Sequence, residues 1–376
     1  MIPVMLPMLG EEEAKAVADA VRSGWVAQGP RVAAFEEAFA AEVGAAHGIA
    51  TSSCTTALHL CLYQLGIGPG DEVVVPSLSF IATANAVRYC GAAPVFADVD
   101  AETGNLAPSS VAEVLSPRTR AVLLVHQGGQ PADVEAMRAV CGDIPVIEDA
   151  ACAAGATLRG RPVGAGAVMA AWSFHPRKLL KTGEGGMITT DDAGWAARLR
   201  RLREHGMSVS AADRHASTTI VLETYDETAF NYRLTDIQAA MGLVQLRRLP
   251  EIVRQRREMA ALYHELLSPL GLRAVGDPAH GTTNYQSFWV TLPESAPALP
   301  EVLAGMAESG VSARRGIMAA HLEPAYAGRP HIPLPVTEQL THRSIILPLH
   351  HKLSSADQHT VVDAMARALR LEPARP

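Results

Sequence analysis

Lysine is almost missing from this chain: Lys15, Lys178, Lys181 and Lys352 are the whole supply among 32 basic residues in 376. With a formal net charge of −7 and no basic tract or stripe, nucleic acid is not an expected partner. Cysteine is scarce too. Cys54, Cys61, Cys90, Cys141 and Cys152 form an odd set without paired spacing. They read as reduced thiols, not as a disulfide frame or a zinc site, and no metal site is expected. No apolar run reaches the roughly 18 residues of a membrane span. The opening MIPVMLPMLGEEEAKAV lacks a basic leader and turns acidic too soon for a signal peptide. The expectation is a soluble, cytoplasmic protein.

What is present is apolar: 48 % hydrophobic against 19 % charged residues, enough for a large core and about two domains at roughly 150 residues each. Helical periodicity covers 11–23 and 31–43, with Phe35, Phe39 and Val43 on one stripe. The acidic run Glu11–Glu13 reads as a helix start complemented by charge. Short apolar runs (Glu72–Val75, Pro94–Ala97, Ala121–Val125, Pro145–Ile147) then alternate with helical patterns near 55–65, 80–90, 108–115 and 131–140. Such alternation predicts right-handed crossovers and a mostly parallel sheet covered on both faces. A further strand pair, 168–174 and 186–190, brackets a glycine-rich loop. A helix at 235–248 and a separate charged helix at about 250–268 follow, and its arginines at 247–257 read as a solvated face or a dimer contact. Beyond Gly271 the rhythm becomes a strand at Tyr285–Leu292, a helix at 297–309, a strand at 344–347 and a helix at 354–370. The long polar segment 205–231 is read as a mobile or partner-contacting excursion.

Four features carry chemistry. The loop in WSFHPRKLLKTGEGGMITT (172–190) places Lys178 and Lys181 beside His175 and Arg177. A desolvated lysine near other cations has a depressed pKa and forms Schiff bases with carbonyls. Thr51-Ser52-Ser53-Cys54-Thr55-Thr56 opens a helix after a short strand, either as a plain cap or as a phosphate cradle. Val146-Ile147-Glu148-Asp149 is a strand ending in two acids, suited to pairing a pyridinium nitrogen. Phe80 follows a strand and a turn, where a ring either fills core or stacks on a flat ligand. Ser173 is in reach of a phosphate, and Glu184 is expected to hold the loop together. Nucleophilic lysine, ring-pairing acid, stacking aromatic and phosphate cradle together match a pyridoxal 5'-phosphate site.

In this order the residues resemble the DegT/DnrJ/EryC1/StrS aminotransferases. The likeness runs through SGWVAQGP, ALHLCLYQLGIGPGDEVVVPSLSFIATANAV, GAAPVFADVD, PVIEDAA, SFHPRKLLKTGEGG, FNYRLTDIQAAMGLVQL and ILPL. The resemblance implies an α/β, aspartate-aminotransferase-like fold (fold type I). That is a seven-stranded, mostly parallel sheet in a large domain, 1–248, and a smaller α+β domain, 249–376. It implies that Lys178 is the Schiff-base lysine and that Asp149 pairs the ring nitrogen. Phe80 then stacks on the ring, Ser173, Thr55 and the Cys54 backbone hold phosphate, and Cys152 stands near the ring hydroxyl. By the same likeness Asn231 reaches the phosphate of the partner subunit in a homodimer, and Trp25, Gly29, His321 and Tyr326 line the substrate mouth. The implied reaction moves an amino group from glutamate or glutamine to a 3- or 4-keto sugar nucleotide; a cyclitol ketone acceptor and a cofactor-binding regulator without turnover are the alternatives. The chain departs from the family where Cys54 replaces a common glycine, Cys152 a common Gln or His, and Leu179 a common asparagine.

Overall fold

A computed structural model describes residues 1–210, 214, 219, 220 and 222–371. The main sheet holds β1 (His47–Thr51), β2 (Glu72–Pro76), β3 (Ala93–Ala97), β4 (Thr119–Val125) and β5 (Val146–Asp149). A two-residue hairpin, β6 (Thr157–Leu158) and β7 (Arg161–Pro162), interrupts it before β8 (Ala170–Ser173) and β9 (Gly186–Thr190). Seven strands run in the order β1-β9-β8-β5-β4-β2-β3, and β9 alone runs against the other six. The expected sheet is therefore the one found.

Strand alternation divides the apolar runs between two layers. Val73, Val75, Leu123 and Ile147 face α3 (Cys54–Gln64), α4 (Ala82–Tyr89) and α7 (Ala193–Leu202). Val74, Val122 and Leu124 face α5 (Pro108–Val114) and α6 (Val134–Cys141). Burial on both faces is why these strands read as unbroken hydrophobic runs. Helix α1 (Glu11–Arg22) packs on the long helix that follows β9 and α7 in the chain, and α2 (Pro30–Glu42) packs against β1 at the end of the sheet. There the Phe35 and Phe39 stripe meets Trp172 and Phe174, with Phe39 at 5.2 Å from each ring. Glu13 complements the start of α1 as expected, but from a buried position. It is 2 % exposed, accepts from the Gly10 N–H at 2.8 Å and pairs with Arg248 at 2.9 Å.

The two expected helices at 235–248 and 250–268 are one, α8 (Asp236–Leu267), about 48 Å long at 1.5 Å per residue. Pro250 sits inside it, where a lost backbone bond costs about 3 kcal/mol. Burial outweighs that cost: Leu246, Leu249 and Ile252 pack under the main sheet, and Ala260, Tyr263 and Leu267 join a second core. That second core lies against a four-stranded antiparallel sheet, β10 (Arg273–Ala274), β12 (Phe288–Thr291), β14 (Ser344–Leu347) and β13 (Arg314–Arg315), in that order. Helices α9 (Leu299–Glu308), α10 (Pro335–Arg343) and α11 (Ser355–Ala368) complete it, while β11 (Gly281–Thr282) pairs with β6. The domain division drawn at residue 248 thus passes through one continuous helix, and we propose that α8 is shared by both domains.

Within 205–231, residues 211–213, 215–218 and 221 lie outside the described ones. The described flanks run back along each other, with His205 N–H to Phe230 O at 2.8 Å and Ser208 N–H to Thr224 O at 2.9 Å. Among the described residues no helix is long and apolar enough to cross a membrane.

Phe39→Ala removes a fully buried ring from the aromatic cluster beneath the lysine loop. It is expected to cost about 3–5 kcal/mol, read as a lowered midpoint in urea unfolding with an unchanged slope.

Candidate active site

In a parallel sheet, loops and helix N-termini collect at the carboxyl ends of the strands. Here those ends are Thr51, Pro76, Val125, Asp149 and Ser173. Because β9 runs the other way, its first residue, Gly186, lies at the same edge, and the 174–185 loop between β8 and β9 hangs over it. A cleft of about 310 Å³ opens there. Cys54, Thr55, Phe80, Asp149, Cys152, Ser173 and Lys178 all line it.

The acid is chosen by strand alternation. Glu148 turns to the opposite face, where its Oε2 meets His126 Nε2 at 3.1 Å and accepts from the Gly164 N–H at 3.2 Å. Asp149 turns into the cleft and is 4 % exposed. Its Oδ2 accepts from Thr83 Oγ1 at 2.9 Å and its Oδ1 from the Ala151 N–H at 3.2 Å. Burial raises its pKa, partly opposed by the Thr83 hydroxyl. A carboxylate so buried calls for a cation in the cleft, and a protonated ring nitrogen is one.

The helix start is prepared for an anion. Ser53 caps α3 and its hydroxyl accepts from the Thr56 N–H at 3.2 Å, while Thr56 Oγ1 accepts from the Ser53 N–H at 3.1 Å. Those hydroxyls are spent on capping. The N–H groups of Cys54 and Thr55 have no partner inside a helix and sit at its positive end. Gly186 holds this geometry: a Cβ there would stand 2.5 Å from Ser53 O and 2.6 Å from Cys54 N.

The lysine loop is tied at its root by Phe174 N–H to Gly185 O and Thr182 N–H to Phe174 O, both 2.9 Å. Glu184 does hold the loop, but through its carbonyl, which accepts from Thr182 Oγ1 at 2.7 Å and Gln238 Nε2 at 2.8 Å. Lys178 Nζ donates to Cys152 Sγ at 2.9 Å. Burial pushes the Lys178 pKa down, but the Cys152 sulfur, Cys54 and Asp149 push it up, and the net direction is upward. This corrects the expectation of a depressed value: Cys152, Cys54 and Asp149 outweigh burial. Burial, followed by Asp149, raises the Cys54 thiol well above its ordinary value. Phe80 is 69 % exposed at the rim, so its ring is a cleft wall and not core.

Other expected residues stand elsewhere. Lys181 is 5 % exposed and lines a different cavity. Asn231 bridges to Glu204, and its Oδ1 accepts from Arg233 Nε at 3.1 Å, outside its own chain's cleft. Gly29 caps α2, pressed between Trp25 and Asp236, whose carboxylate accepts from the Arg31 and Val32 N–H groups at 3.1 and 3.0 Å. Neither Trp25 nor Gly29 lines the cleft. His321 Nδ1 lies 2.6 Å from Ser77 Oγ, and Tyr326 donates to Asn85 Oδ1 at 2.7 Å. Both are packed against Phe96, away from the cleft lining.

Residues the sequence reading missed do as much as those it named. Thr83 and Gln127 line the cleft, and Gln127 donates to the Leu78 carbonyl. From the second domain, Gln286 accepts from the Leu179 N–H at 2.9 Å and donates to the Arg177 carbonyl at 2.7 Å. Asn284 donates to the Cys152 and Ala154 carbonyls, both at 2.8 Å. No local pattern marks either residue. Gln286→Ala is expected to speed amide hydrogen exchange in 177–181 by about 10–30-fold, from two lost bonds of about 1 kcal/mol each; unchanged exchange contradicts the clamp.

Residues 7–366 match the sequence profile of the DegT/DnrJ/EryC1/StrS aminotransferase family. The spore coat polysaccharide biosynthesis protein SpsC of Bacillus subtilis (strain 168) is 36 % identical, over 97 % of this chain and 96 % of SpsC. The crystal structure of the aminotransferase TlmJ from Streptoalloteichus hindustanus superposes with a TM-score of 0.90 at 38 % identity, over 98 % of this chain and 99 % of TlmJ. The structure of DesI in the presence of its TDP-sugar product gives a TM-score of 0.87 at 33 % identity, over 98 % of this chain and 93 % of DesI. The chain belongs to the DegT/DnrJ/EryC1/StrS family and is an aminotransferase that uses pyridoxal 5'-phosphate.

Proposed function

We propose that this enzyme aminates the ketone of a sugar nucleotide, of the 3- or 4-keto-6-deoxy type, with glutamate or glutamine as donor. The observation that carries the reading is the convergence of Lys178, Asp149 and the α3 N-terminus on one cleft of about 310 Å³. The likeness to DesI, whose structure was determined with a TDP-sugar product, supports the acceptor class.

Bound in the cleft, pyridoxal 5'-phosphate supplies a carbonyl carbon for Schiff bases and a ring that delocalises the charge formed when Cα loses its proton. The chain's own residues do the rest. Asp149, held on both oxygens by Thr83 and Ala151, keeps the ring nitrogen protonated. The Cys54 and Thr55 N–H groups and the Ser173 hydroxyl hold the phosphate. Phe80 covers one face of the ring. Lys178, the amine of the cleft, would bond to the cofactor's carbonyl carbon and, when free, would carry the proton to and from Cα. Asn231, remote from its own cleft, completes the phosphate site of a second subunit in a homodimer. Exposed Ile220, Leu222 and Tyr225, at 94, 86 and 61 %, give that flank the apolar surface a partner covers.

Three outcomes test this reading. Borohydride reduction of the loaded enzyme is expected to fix the cofactor to a peptide containing Lys178, and Lys178→Ala to lower turnover by at least about 10³-fold. The amine form, screened against keto sugar nucleotides and inososes, is expected to regain the yellow absorbance with a sugar nucleotide; recovery only with an inosose overturns the acceptor class. Mixing Lys178→Ala with Asn231→Ala protein is expected to restore activity to about a quarter of the sites, as random pairing in a C2 dimer dictates. No recovery argues that the sites are not shared.

A further inference from the structure

A second cavity, of about 30 Å³, lies behind the lysine loop, between the N-terminal segment, α8 and the turn at His350-His351. Its polar side chains are nitrogen-bearing, Arg177, Lys178, Lys181, Arg256, His350 and His351 with two glutamines, and neither Asp nor Glu lines it. Lys181 is 5 % exposed and makes no hydrogen bond or ion pair among the described residues. The Arg256 guanidinium donates only to carbonyls, those of Tyr285, Leu349 and Gln286 at 2.7, 2.9 and 3.0 Å. Arg256 thus departs from the solvated face or dimer contact expected for 247–257, while Arg254 stays 57 % exposed. His350 is 4 % exposed, and neither ring nitrogen has a hydrogen-bond partner of normal geometry; the Pro3 carbonyl alone comes near.

Buried charges are normally paired, because an isolated ion away from water is strongly disfavoured. Lys181 and Arg256 are two cations without a carboxylate between them. Glu13 is the acid whose field reaches Lys181, and it is occupied by Arg248, Gln245 and the Gly10 N–H at 2.9, 2.7 and 2.8 Å. Burial, and then Arg256, lower the Lys181 pKa to about 8. The space holds one or two water-sized particles, too little for a phosphate. Met5, Leu6, Met8, Ile252 and Met259 make up much of the wall, which favours an anion that sheds water easily.

We propose that this cavity is a halide site, taking chloride or bromide against the Lys181 ammonium, with His350 facing it. The proposal does not depend on the transamination reading: Lys178 also lines the cavity, but its Nζ is engaged by Cys152 in the cleft.

Thermal unfolding of the loaded enzyme in sodium chloride, bromide and fluoride at equal ionic strength tests it. Chloride and bromide are expected to raise Tm over fluoride, saturably, by about 2–4 °C more in the wild type than in Lys181→Met. In fluoride, Lys181→Met is expected to be the more stable protein, having lost an unpaired buried charge. An equal chloride-over-fluoride difference in both proteins overturns the site. Should the variant not fold, crystals grown in bromide decide: an anomalous peak beside Lys181 Nζ supports the site, and its absence overturns it.

Discussion

Everything at the cleft depends on how closely β9 approaches the start of α3. With any side chain at position 186, β9 would have to withdraw from the Ser53 carbonyl and the Cys54 nitrogen. The reversed direction of β9 and the bare backbone at its first residue act together. One brings the β8–β9 loop to the carboxyl edge of the sheet; the other lets that loop lie against a helix end whose N–H groups are free. Lysine, acid and anion cradle then face one space without any of them needing an unusual backbone.

The electrostatics follow from what surrounds each group, not from its neighbours in sequence. Lys178 has His175 and Arg177 within three residues, yet its state is set by Cys152 and Asp149, which arrive from the other side of the cleft. Asp149 and Glu148 are adjacent in sequence and opposite in space, and only one belongs to the site. Cys152 puts a sulfur 2.9 Å from the lysine nitrogen.

Much of this was legible in the sequence. Val73–Val75 and Ala121–Val125 announce buried parallel strands, because both faces are covered. The Lys178 loop and the Asp149 strand end announce the chemistry, because such residue types at strand ends have few other uses. What was not legible depends on distant pairing. Pro250 suggests a helix break, and only burial of both flanks explains why α8 runs through it. Glu13 reads as complementing a helix start, and its burial against Arg248 and Gln245 comes only with the fold. Gln286 and Asn284 lie more than a hundred residues from the backbone they hold. His321 and Tyr326 are polar enough for a substrate mouth and are packed against Phe96 instead.

The grip of Gln286 and Asn284 on the backbone around the cleft has a consequence for traffic. Both side chains come from the link between β11 and β12, and both attach to segments that carry or flank the reactive groups. A clam-shell opening between the domains would drag the lysine loop away from Asp149 and take the site apart at each cycle. Reactants must therefore come and go along the rim near Phe80, through a door that leaves the floor fixed.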